Sequence, residues 1–346
     1  VKKVEVKRMI KIVLDAFGGD RSPVVNVEGA VKAVNEKQDM HVILTGDKER
    51  LEDLLKKYEY DKERISIVHA PEVISCNDKP TEAIRNKKDS SLVKAIEILK
   101  EDDEVKALVS IGSTGAVLAG AVLKVGRIKG VKRPAFCPIL PTMPGGIVGV
   151  CDSGANVDCD SLQLHQFAVM GSLYLEKAYG IKNPRVALLN IGTEEEKGDS
   201  LRKETYQLLK NDSSINFVGN MEGRDLLSGK YDLIVADGFA GNVLIKTTEG
   251  TSIELMKMLK EILTSSFKAK MGALLVKDKV MELKNKMDYN NYGGGVMLGV
   301  SKTVIKGHGS SKSSAIYHCL IQAYNIEKEN LREAISEAIT NRTISE

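Results

Sequence analysis

Six short stretches pair glycine with side chains able to hold or polarise an anionic oxygen: Gly18-Gly19-Asp20, Gly112-Ser113-Thr114-Gly115, Asp152 to Asp160, Gly192 to Gly198, Asp237 to Asn242, and His308-Gly309-Ser310-Ser311. Glycine lets the backbone turn sharply and approach a ligand closely. A turn that runs into a helix leaves unpaired N–H groups at the helix start. Taken singly, each stretch is most simply a tight turn. Their recurrence with Asp, Asn, Ser, Thr and His points to one anion-binding cleft, and phosphate is the reading for Gly112–Gly115. Several other chemistries find no pattern. There is no GxSxG elbow, no GxxxxGK[ST] loop and no GxGxxG after the first strand. Cys151, Cys159 and His165 do not have zinc spacing, and Asp15, Asp152 and Asp237 do not suggest a metal set, so no metal is expected. The Glu194–Glu196 run reads as a solvated loop.

The elements that must position these loops are strands. Ile10 to Ala16, His41 to Thr45, Ile65 to Ala70 and Ala107 to Ile111 are short apolar runs separated by helical periodicity. Val24, Val27, Val31 and Val34 form one such helix face, with Ser22 as its cap. Further strands are expected at Ala135–Leu140, Ile147–Cys151, Arg185–Ile191, Ile215–Gly219 and Tyr231–Ala236. This alternation predicts an α/β fold of three layers, α/β/α, with a doubly wound, mostly parallel sheet whose strand ends gather the loops at one edge. A projecting helical hairpin is expected at about 249–288, its apolar tip at Met271, Leu274, Leu275 and Val276. A tail helix carries Leu331, Ile335 and Ile339.

With 346 residues the chain can build a substantial core. A net charge of +3 and the absence of tryptophan argue against a nucleic-acid binder. Five cysteines, none in a CxxC pair, fit reduced, buried thiols and a cytoplasmic setting. No apolar run approaches membrane-spanning length. Met9 directly precedes the first strand, so residues 1–8 are expected to be an extension, 9–326 a single two-lobed unit and 327–346 a peripheral helix.

Many separated motifs carry a resemblance: LDAFGGD, NDKPTEAIRNKKDSS, GSTGAVLAG, GRIKGVKRP, DSGANVDCD, QFAVMGS, LLNIGTEEEKG, VGNMEGRD, ADGFAGNVLIK, YGGG and IKGHGSS. The chain from Met9 to about Tyr324 closely resembles the bacterial phosphate acyltransferase family called PlsX. Two positions depart from the family pattern. Ser113 stands where the family has Asn, and Gly295-Val296 replaces Ala-Pro. The resemblance implies transfer of a fatty acyl group from acyl-[acyl carrier protein] to inorganic phosphate for phospholipid synthesis. It also implies a fold similar to the isocitrate/isopropylmalate dehydrogenases and phosphotransacetylases, a homodimer, no cofactor, and hand-off of product to a glycerol-3-phosphate acyltransferase.

That reaction needs chiefly positioning and oxyanion stabilisation, because phosphate is already a nucleophile and a thiol is a fair leaving group. His308 is the first choice for protonating sulfur or polarising the carbonyl, with Asp237 and Asn242 beside it as catalytic candidates. Substrate contacts are expected from Asp15, Gly18, Gly19, Asp20, Arg85, Lys87, Lys88, Gly112, Ser113, Thr114, Gly115, Asn156, Gly192, Gly238, Gly241, Gly293, Gly294, Gly309, Ser310 and Ser311. Arg127, Lys129, Lys132 and Arg133 would dock an acidic carrier protein. The lysine-ringed hairpin tip would touch the inner face of the membrane. The alternatives are a phosphotransacetylase using acyl-CoA, a decarboxylating dehydrogenase and a non-catalytic binding module.

Overall fold

Aliphatic and β-branched runs form most of the strands, and those at the centre of each sheet have wholly buried central residues. The computed structural model describes residues 9–286 and 292–345; the stretch read as an extension, 1–8, lies outside the described residues. β1 (Ile10–Asp15), α1 (Val24–Glu36), β2 (Met40–Gly46), α2 (Lys48–Leu55), β3 (Ile65–His69), α3 (Pro80–Asn86), α4 (Ser91–Glu101), β4 (Val105–Ser110) and α5 (Thr114–Gly120) follow the expected alternation. Ser22 differs from the expectation. Its hydroxyl donates to the carbonyls of Gly18 and Gly19, and Pro23 takes the cap position of α1.

The next run does not extend the same sheet. Ala135–Leu140 divides into β5 (Ala135–Cys137) and β6 (Ile139–Pro141) around Pro138, which has no N–H to continue a ladder. There the chain crosses into a second sheet containing β7 (Ile147–Cys151), β8 (Val186–Asn190), β9 (Phe217–Glu222) and β10 (Leu233–Val235), with α6 (Ser161–Tyr179) and α7 (Ser200–Asn211) between them. Its order is β6-β7-β10-β8-β9, with only β6 antiparallel. After α8 (Gly238–Thr264) and α9 (Phe267–Lys286), two strands absent from the sequence reading, β11 (Gly295–Leu298) and β12 (Thr303–Lys306), return to the first sheet. That sheet has the order β3-β2-β1-β4-β12-β11-β5, with β11 the one antiparallel member. α10 (Ser313–Lys328) and α11 (Leu331–Ser345) complete the described chain. The α/β class and mostly parallel pairing are as expected, but there are two sheets where a single sheet edge would have gathered the loops.

α1, α6 and α10 contribute to one large core and α4 and α5 to another on the first sheet, while Ile245 of α8 packs on the second sheet with Val148, Val150 and Ile234. In α11, Leu331, Ile335 and Ile339 are buried in the first of these cores. The hairpin differs in detail. Ser266 caps α9 by accepting the Ala269 N–H at 3.1 Å, so the turn lies at Ser265-Ser266. Met271–Val276 is therefore a segment of α9 and does not form the tip.

Candidate active site

β1, β4 and β12 lie side by side and parallel, so their carboxyl ends open at the same level, with Lys306 in register with Ser110. Asp15, at the end of β1, is buried. It accepts from the Ser110 hydroxyl at 2.8 Å and the Gly18 N–H at 3.1 Å, and Ser110 in turn accepts from the Gly112 N–H at 3.1 Å. Burial raises its carboxyl pKa. A Cβ on Gly18 would meet Asp15 Oδ2 at 2.6 Å and Gly112 N at 2.7 Å, so glycine is required where the two loops touch. The Asp20 N–H donates to Gly309 O at 2.9 Å and the Gly307 N–H to Ser110 O at 3.0 Å, tying the His308 loop to both. The structure thus brings Gly18–Asp20, Gly112–Thr114 and His308–Ser311 together, with Asp15 as the clamp beneath them.

A second clamp serves the other sheet. Asp152 accepts from the backbone N–H groups of Phe136, Ser153, Ala155 and Asn156 and from the Asn156 side chain. The first turn of α8 lies on this loop: Gly238 N donates to Asn156 O at 2.7 Å, and a Cβ on Gly241 would come within 2.0 Å of Asp152 O. Asn156 also donates to Pro134 O at 2.8 Å. Asp237 caps α8 through the Ala240 N–H at 2.8 Å and pairs with Arg202. In this arrangement the Asn156 amide nitrogen braces Pro134 O and Asp152, its backbone carbonyl holds the start of α8, and both Asp237 carboxylate oxygens are engaged by Ala240 N–H and Arg202.

Between the two clamps is a cavity of about 150 Å³ that mixes polar side chains with the apolar Phe136, Ile139, Leu140 and Ile245. Thr114 reaches it from the first sheet, Ser153 from the second, Asn242 and Lys246 from α8, and His308 from the β12 loop, together with Lys306 and the Gly293–Gly295 backbone. Gly294 is held from both sides by Gln322, which accepts its N–H at 2.8 Å and donates to its carbonyl at 2.9 Å. A Cβ on Gly295 would strike the Phe136 ring at 2.1 Å, which explains the run of glycines. Lys306 is buried, and desolvation brings its ammonium pKa down to about 8. Its Nζ donates to Gly307 O. His308 is also shifted down, by partial burial and then by Lys306. Its Nδ1 accepts from the Ser310 N–H at 3.4 Å and lies 2.9 Å from Ser310 Oγ, so the neutral ring carries its proton on Nε2. The Ser311 hydroxyl is buried without a hydrogen-bond partner among the described residues.

Lys306, Lys246, Ser153 and Gln322 were missed by residue-type reasoning. A lysine ending the apolar run Thr303-Val304-Ile305 was one available signal, and Lys246 at i+4 from Asn242 on one helix face was another. Other candidates lie outside the cavity lining. Lys87 is paired with Asp78 at 2.7 Å and donates to Val73 O, and Arg85 and Lys88 sit on the exposed surface by the end of α3. Gly115 packs on Pro80 and Gly192 on Lys197. Burial pushes the Cys159 and Cys319 thiols up to about 12 and Cys151 well up, so these three stay protonated and are poor nucleophiles.

The comparisons with known proteins agree with one another. Residues 10–334 match the family model described as "Fatty acid synthesis protein". A phosphate acyltransferase from Alkaliphilus oremlandii is 47% identical over 332 residues, covering 96% of this chain and 98% of that protein. One from Clostridioides difficile is 44% identical, covering 96% of each. The fold is shared with a phosphotransacetylase from Streptococcus pyogenes at a TM-score of 0.60 and 18% identity, covering 92% of this chain and 94% of that one. EutD phosphotransacetylase from Staphylococcus aureus aligns at 0.57 and 15% identity, covering 91% and 93%. The chain belongs to the phosphate acyltransferase family, PlsX, and is an acyltransferase.

Proposed function

We propose that the enzyme transfers a fatty acyl group from acyl-[acyl carrier protein] to inorganic phosphate, giving an acyl-phosphate that a glycerol-3-phosphate acyltransferase consumes on the way to phosphatidic acid. The observation that carries this reading is a buried lysine, Lys306, beside His308 in a cavity walled by glycine-loop backbone. In this reading 9–326 act as one two-lobed catalytic unit and 327–346 as a peripheral helix. Phosphate is held by Lys306 with help from the Ser310 and Ser311 hydroxyls, and the Gly112–Thr114 turn forms one wall. A phosphate oxygen attacks the thioester carbonyl carbon, and the Asn242 amide and His308 Nε2–H stabilise the oxyanion. The C–S bond then breaks and the carrier thiolate takes a proton from water, or from His308 when the ring is charged. The product is acyl-phosphate plus free carrier thiol. No activated cysteine is needed, in keeping with the raised thiols. Trapping product as hydroxamate tests the donor: acyl-carrier protein should exceed acyl-CoA in kcat/KM, and the reverse preference would favour a phosphotransacetylase-like enzyme.

Partner surfaces follow from charge and exposure. Lys129, Lys132 and Arg133 are exposed, while Arg127 donates to the Lys132 carbonyl and shapes their loop. Reversing Lys129 and Arg133 to Glu is expected to raise KM for the acylated carrier by about tenfold at low salt, with little change in kcat. An unchanged KM would place the dock elsewhere. On α9, Phe267, Met271, Leu274 and Leu275 are 80%, 51%, 66% and 90% exposed, an apolar stripe flanked by lysines. We assign it to contact with an anionic membrane surface. Leu274→Glu with Leu275→Glu should abolish flotation with anionic liposomes, and undiminished flotation would remove that role. The exposed α8 stripe Leu255, Met258 and Ile262 is the surface we assign to self-association in a homodimer.

A further inference from the structure

We propose that an apolar cavity between α8, α9 and β6 receives the aliphatic chain of the acyl donor, an inference that rests on the acyl-transfer reading above. The cavity is about 570 Å³ and is lined by Leu140 on β6, Leu227 before β10, Met256, Leu259 and Leu263 on α8, and Val280 on α9. The space opens to solvent along its lysine edge, and ligand sites run from ~300 to ~1,000 Å³, so it is of ligand size.

Three observations select the occupant. The apolar cavity adjoins the Lys306–His308 cavity, because Leu140 and Glu249 line both. The combined space carries Lys306, His308, Asn242 and Ser153 at one end and is hydrocarbon-like beyond it, which matches an amphiphile with a reactive carbonyl head and an alkyl tail. Its length also fits. From Glu249 to Leu263, α8 rises by about 21 Å at ~1.5 Å per residue. A bilayer hydrocarbon core of ~30 Å is two acyl chains deep, so one membrane-type chain needs about 15 Å. Lys257, Lys260 and Lys277 contribute to the lining, an arrangement in which methylene stems border the chain and ammonium groups remain in water. A second copy of the protein is the competing occupant. It is disfavoured because the lining faces a concave space, whereas Leu255, Met258 and Ile262 lie on another stripe of α8 and are 59%, 56% and 62% exposed. The carbonyl sits at the Lys306 end and the chain's methyl end points towards Thr264.

The test compares palmitoyl and butyryl thioesters of the carrier protein on the full chain. Met256→Trp and Leu259→Trp narrow the space midway along its length. Each buried methylene is worth about fourfold in affinity, so kcat/KM for the palmitoyl donor should fall about 10- to 100-fold while the butyryl donor changes by less than about twofold. Equal loss on both donors, or no loss on either, overturns the proposal. So does a shift to a smaller species in sedimentation with chain preference retained, which would give the cavity to a second copy. A wild-type enzyme that makes no acyl-phosphate from either donor would instead overturn the acyltransferase reading. A readout independent of activity is available because the chain has no tryptophan. Ile253→Trp, at the half-exposed rim, becomes a single fluorophore that a brominated fatty acid should quench saturably; quenching no stronger than that of free tryptophan contradicts the assignment.

Discussion

Replacing Lys306 with Met is expected to lower kcat/KM for phosphate by about 10²-fold, the scale of losing one charged donor from a desolvated site. Met keeps the volume of the lysine stem and leaves no buried charge, so thermal stability should be unchanged or slightly raised. The side chain ends β12, is 8% exposed and has an ammonium pKa of about 8. Below about 8 the ammonium is charged and attracts phosphate; as pH rises through about 8 the charge is lost and kcat/KM for phosphate falls. Bound phosphate favours the charged form, so the limb belongs to the free enzyme and should be weaker in kcat. In Lys306→Met the limb should vanish. Its survival in the variant would assign the titration to another group.

His308→Gln is expected to lower kcat by about 10²- to 10³-fold, the range for removal of a positioned acid or an oxyanion donor. The two roles separate by leaving group. A donor that protonates departing sulfur matters less when the thiol is more acidic, so the deficit should shrink with an aryl thioester. A donor that polarises the carbonyl gives the same deficit with both. Nδ1 accepts from the Ser310 backbone, which keeps the donor proton on Nε2 in either case. A variant with full activity on both thioesters would remove His308 from the chemistry.

The glycine loops were legible because strand end, glycine and helix start are adjacent in sequence. His308, Thr114, Asn242 and Gly294 could be nominated from that pattern, and they line one cavity. What the pattern could not distinguish is a carboxylate or amide facing a ligand from one facing its own backbone. Asp15, Asn156 and Asp237 look alike in sequence, and the bonds their side chains make here run to loop N–H groups, a serine hydroxyl, a carbonyl, a neighbouring carboxylate and an arginine. Lys306 escaped because β12 has only four residues, too few for a period to emerge, and its place beside β4 is a long-range fact of topology. The two-sheet division was hidden for a similar reason, since Pro138 interrupts what reads as one apolar run. On α8, Leu255, Met258 and Ile262 occupy one stripe and Met256, Leu259 and Leu263 another. Periodicity detects that the helix is apolar, but which stripe meets a cavity is settled only by packing against α9 and β6.

The central claim is that the protein positions phosphate for direct attack on a thioester and forms no acyl-enzyme. Rapid mixing of enzyme with excess acyl-carrier protein, with phosphate withheld, tests it most directly by following release of the carrier thiol. No burst is expected, and stoichiometric thiol release only after phosphate is added. A burst of one thiol per active site without phosphate would reveal a covalent acyl-enzyme and contradict the claim.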